Sequence, residues 1–157
     1  MKRVITAQDV PAGGELRVPV GTIVTSSARE LAATLMKIEG VPDIPMFRNN
    51  TAHPFIHALP ADALSNVAGD SNYVRVQVLT NASALDRDKQ LAVVRQFTDL
   101  IATAAADASL ADRTWVLLIE AGEGGWGLAG HANTNPELVA AARAQIADLQ
   151  RTNTSGA

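Results

Sequence analysis

The sequence predicts an α+β protein: a strand–helix–strand core preceded by a strand–helix extension. Three observations carry this. Tyr73–Leu79 alternates, with Val74, Val76 and Val78 facing one way and Tyr73, Arg75 and Gln77 the other. Leu91, Val94, Phe97 and Ile101 then recur at helical spacing, with Leu100 beside them. Finally Thr114–Gly130, TWVLLIEAGEGGWGLAG, runs from an almost unbroken apolar strand into a glycine-rich hairpin around a tryptophan.

Taken in order, Lys2–Thr6 reads as a short strand and Pro11-Ala12-Gly13-Gly14 as a turn. Glu15–Val20 alternates as a second strand, and Pro19, which lacks a ladder donor, puts it at an edge. Thr25, Ser26 and Ser27 offer helix caps, and Ser27 with Glu30 has capping-box spacing. Leu31, Leu35 and Ile38 share a helical face that Gly40 closes. Val41–Asp70 holds four prolines and reads as a connecting loop, with one short helix near Ala61–Val67 behind Pro60. Ser83 and Asp86 open the next helix, whose end in Ala104–Ala111 is weakly marked. Trp115–Ile119 has almost no polar alternation, which fits a strand buried on both faces or one packed on a partner subunit. Asn135-Pro136-Glu137 marks a last helix with Leu138, Ala142, Ile146 and Leu149 on its apolar side. Arg151–Ala157 reads as a frayed polar tail.

With 157 residues, 47% of them apolar but only 4% aromatic, the core must be filled by Ala, Val and Leu. A net charge of −3 argues against nucleic acid or an anionic membrane as main partner. There is no cysteine, so thiolate catalysis and disulfides are excluded. No apolar run approaches the ~20 residues of a membrane span, and Lys2 and Arg3 lead into no secretory apolar region. A cytoplasmic location is the expectation.

Few residues offer chemistry. Gly122–Gly127 satisfies G-x-G-x-x-G after a strand, but no helix opens on it and Glu123 repels phosphate, so the glycines are read as hairpin residues and no cofactor is expected. His53 and His57 are spaced for one helical turn, yet Pro54 separates them from a common helix; no metal site is expected. Thr25, Ser26 and Ser27 have no nucleophile elbow and are read as caps. His131, just after the hairpin, is the first candidate for a general base and Glu120 the second; an interface or surface histidine is the competing reading.

Asn72–Gly130 resembles the β-α-β unit of the tautomerase superfamily, typified by 4-oxalocrotonate tautomerase. The matching pieces are YVRVQVL, LDRDKQLAVVRQFTDLI, TWVLLIEA and GGWGLAG, the last with the Trp126-Gly127/Gly130 signature. The resemblance implies a trimer-based homo-oligomer in which copies cover one another's sheets. It implies a small carbonyl compound as ligand, with Asn72, Arg75, Trp115 and Trp126 around it; Arg75 and Gln77 read equally as the polar face of an exposed sheet. The family's chemistry rests on an N-terminal proline whose free amine acts as base or acid. That position falls mid-chain on Asn72, and Met1 is followed by Lys2. Ala82 and Trp115 stand where the family's carboxylate-binding arginines would be, and only the aromatic at Trp126 is kept.

The first segment, VITAQDV and then GELRVPVGTIVTSSARELA, resembles the N-terminal segment of ethanolamine-utilisation proteins of bacterial microcompartments. It implies microcompartment proteins as partners and the compartment as location. The expected organisation is an N-terminal segment over residues 1–71, a tautomerase-like domain over 72–150 and a tail over 151–157. Two functions follow. One is a binding or assembly protein that has lost the proline chemistry. The other is a proline-independent isomerase of a small carbonyl or hydroxy compound, with His131 as base. An unrelated α+β protein with a familiar hairpin is the third reading.

Overall fold

The computed structural model describes residues 4–5, 23–24, 26–50, 54, 60 and 63–155. Val4–Ile5 (β1) and Ile23–Val24 (β2) form a short parallel ladder. The expected strand Glu15–Val20 lies outside the described residues. Ser26–Glu39 forms helix α1, so Ser27 sits inside the helix and not at its cap. Gly40 ends it as expected, with a left-handed φ of 77° and its N–H donating to the Met36 carbonyl at 3.1 Å.

Pro45–Asn50 forms a short helix α2 inside the stretch read as loop. Its signal is Pro45 itself, whose fixed φ suits the first helical position and whose missing N–H costs nothing there. The helix expected near Ala61–Val67 is corrected: Ser65–Asn66 (β3) and Gly69–Asp70 (β4) pair antiparallel around a tight turn instead.

The centre of the molecule is a parallel strand pair. Val74–Asn81 (β5) runs beside Thr114–Ala121 (β6), in register from Val74↔Thr114 to Asn81↔Ala121. Parallel strands need a crossover, and Arg87–Ala104 (α3) supplies it. Asp86 is its cap and accepts from the Lys89 N–H at 2.9 Å. Ser83, the other expected cap residue, lies in the preceding turn with φ 61°. The helix ends in a Schellman arrangement: Ala106 N–H donates to Thr103 O and Asp107 N–H to Ala102 O. A 3-10 turn, Ala108–Arg113, leads into β6.

The core forms where α1 and α3 meet one face of this pair. Leu35, Val78, Leu85, Val93 and Phe97 are buried together, with Leu31, Ile38, Val76, Val116 and Leu118 packed around them. The apolar stripe of α3 is thus shifted from the expected one. Val93 is completely buried, whereas Leu91 and Val94 are exposed. Apolar residues cover a wide arc of α3, and contact with the sheet and α1 selects which of them is inward.

After β6, Trp126–Leu128 (β7) and His131–Asn133 (β8) form the expected hairpin. Its two-residue turn, Ala129-Gly130, has both φ values positive, at 52° and 79°, as a type I′ turn requires. Asn135–Ser155 is helix α4 and runs through most of the expected tail. The architecture is α+β, and no helix among the described residues is long and apolar enough to cross a membrane.

Two stability predictions follow. Ala106 sits at φ 53°, where an L side chain costs about 1–2 kcal/mol and glycine costs nothing. Ala106→Gly is expected to gain about 1 kcal/mol and raise Tm by about 3 °C; a fall in Tm would contradict this helix end. Glu39, at the end of α1, has its carboxyl pKa raised by burial, partly opposed by Lys89. A raised carboxyl contributes stability when protonated, below its unfolded value of 4.5, and loses it as pH rises through the folded value. Glu39→Gln mimics the protonated form. Its Tm should exceed the wild type's at neutral pH and converge with it below about pH 4.5.

Candidate functional site

Strand alternation divides the β5–β6 pair into two faces. Val76, Val78, Val116 and Leu118 turn to the helices. The opposite face carries the register pairs Arg75↔Trp115, Gln77↔Leu117 and Leu79↔Ile119. It is bare: Leu79 is 53% exposed, Trp115 50%, Leu117 39% and Ile119 39%. Among the described residues no third strand joins β5 or β6. The expectation for Trp115–Ile119 resolves to a strand covered on one side within the chain.

At the start of the strands stand three of the expected binding residues, of which Arg75 and Trp115 are neighbours. The Tyr73 and Trp115 rings lie 5.2 Å apart at 51°, and Arg75 stands opposite Trp115. Arg75 Nη2 donates weakly to Gln77 Oε1 at 3.5 Å. The Asn72 carbonyl accepts from Arg113 Nη1 at 2.7 Å. Arg113 also pairs with Asp107 at 2.9 Å. Asp107 is held below the usual carboxylate range, first by the Ser109 hydroxyl and then by the Ser109 N–H and Arg113. This end of the sheet is therefore fastened by one guanidinium that spans the 3-10 turn and the chain ahead of β5.

The other two expected residues, Trp126 and His131, belong to the hairpin, which is anchored at the far end of the strands. Glu123 Oε2 accepts from the Asn135 N–H at 3.0 Å. Asn135 Nδ2 donates to Ala82 O at 2.9 Å, and Ala82 N–H to Ala121 O. Asn133 Nδ2 holds the hairpin from inside by donating to Trp126 O and His131 O. Eight-residue strands separate the two ends by about 23 Å. Arg75 and Trp115 are thus grouped, Asn72 is held by its carbonyl to Arg113 just ahead of β5, and Trp126 and His131 are attached elsewhere. Glu120, the second-choice base, sits opposite Thr80 near the end of β6. His53 and His57 lie outside the described residues, and among those described no group of three acids or histidines is placed to hold a metal.

His131 is engaged. Its Nε2 lies 3.1 Å from Glu137 Oε1, and its side chain is 63% exposed. An ionised carboxylate only accepts, so the His131 Nε2–H donates to Glu137. Glu137 in turn accepts from Thr134 N–H and Thr134 Oγ1, both at 2.8 Å. Thr134 and Glu137 form a capping box at the start of α4, one residue ahead of the cap expected at Asn135. The T-x-x-E spacing was visible in the sequence. The Thr134 N–H and hydroxyl, with His131, lower the Glu137 pKa to about 2.

The pH consequence has a definite sign. A lowered carboxyl contributes stability above its unfolded value, here 4.5, and loses it as pH falls through about 2. The carboxyl signal of Glu137 in carbon-detected NMR is expected to titrate near pH 2, well below an ordinary glutamate. Thr134→Ala should move that midpoint upward, and His131→Ala should move it less. A midpoint near 4.5 in the wild type would show that the capping box does not form.

No family model matches the chain, and no curated protein matches it.

Proposed function

We propose that this chain is a divergent tautomerase-like protein without the catalytic proline, acting as a binding or assembly protein whose bare sheet face is covered by further copies of itself. The observation that carries the reading is the row Leu79, Trp115, Leu117 and Ile119, exposed on a strand pair whose other face is already buried. Contiguous apolar patches larger than a few hundred Å2 are rare on monomers and mark interaction surfaces. Arg75 is the one charged residue among the three register pairs of this face. The parallel strand–helix–strand order and the hairpin carrying Trp126, Gly127 and Gly130 support the likeness to the superfamily. A trimer-based homo-oligomer is the assembly proposed. The N-terminal likeness adds microcompartment proteins as further partners and a compartment as the place of assembly.

Loss of the family's chemistry follows from Asn72. Its nitrogen is a mid-chain amide whose lone pair is delocalised into the peptide bond, so it is no base. The alternative, a proline-independent isomerase of a small carbonyl compound, requires Trp126 and His131 to meet Arg75. One chain holds these groups at opposite ends of the strands, so that enzyme would be completed only between copies.

Light scattering on the wild type is expected to give a mass that is a multiple of three chains. Leu117→Lys with Ile119→Lys would place two charges in the contact and raise its dissociation constant about 100-fold or more, with the far-UV circular dichroism unchanged. A wild-type monomer would overturn the proposal. In a phenylpyruvate enol–keto assay the oligomer is expected to show no rate above buffer. A rate that disappears in His131→Ala would establish the isomerase instead.

A further inference from the structure

We draw no further inference here: the strongest candidate, the open groove of about 320 Å3 between α1 and α3 lined by Glu30, Thr34, Gln96, Asp99, Leu100 and Thr103, is a pair of carboxylates with no second feature among the described residues that points to a ligand.

Discussion

Everything else in the molecule depends on the parallel pairing of β5 with β6. Parallel strands cannot be joined by a tight turn, so the chain must cross over the sheet, and α3 does so. The crossover helix brings Val93 and Phe97 onto Val78, and α1 closes the side of that cluster with Leu35. This arrangement uses one sheet face. A second layer on the other face would have to come from residues that the described chain commits elsewhere: α1 and α3 share the covered side, and α4 starts at the hairpin. Burying a large apolar side chain is worth about 1.5–3 kcal/mol. Among the described residues Trp115 forgoes about half of that gain, and Leu117 and Ile119 a smaller part of it. The strand pair therefore both organises the core and leaves a row of exposed apolar side chains on its other face.

The far end of the sheet is held by a different force. A hairpin with three-residue strands is too short to be stable alone. Here it is fastened by directional polar contacts: Glu123 to the Asn135 N–H, Asn135 to Ala82, and Asn133 to the hairpin carbonyls. Glu137 stands in the first turn of α4, where a negative charge is favoured by the exposed N–H groups. His131 is drawn into the same arrangement through Glu137. Its structural neighbourhood is therefore that of a helix cap. The geometry accounts for the histidine without invoking a reaction.

Features set by local rules were legible in the sequence. The alternation that includes Val76 and Val78 set the inward face of β5, Gly40 stopped α1, and Trp126 with Gly127 and Gly130 made a hairpin, while Gly122 and Gly125 close a separate turn ahead of it. Features set by competition between neighbours were not. Ser83 and Asp86 both carry capping side chains, and only the geometry of the turn decides for Asp86. Val93 and Val94 are adjacent valines, and packing buries the first while exposing the second. The site was legible in part for the same reason. Arg75 and Trp115 are brought together by strand register. The attachment of His131 to Glu137 needed the capping-box spacing to be weighed against the candidate cap at Asn135.

The division of the candidate residues bears on function beyond the missing proline. A catalytic site must bring its base, its anion clamp and its wall within a few ångströms of one substrate. Here the aromatic–arginine group lies where the strands begin, and the histidine–tryptophan group is fastened where they end. The fastenings at both ends are polar and directional, so neither group is free to slide along the sheet. Only a neighbouring copy could bring the second group to the first. Between the two lies the bare apolar face, which is where such a copy would gain most by packing. Assembly is thus the more primitive property of this surface on the reading proposed, and any catalysis would be secondary to it. Even then the amide at Asn72 stays an amide, so assembly could create a new site but could not make a base of that nitrogen.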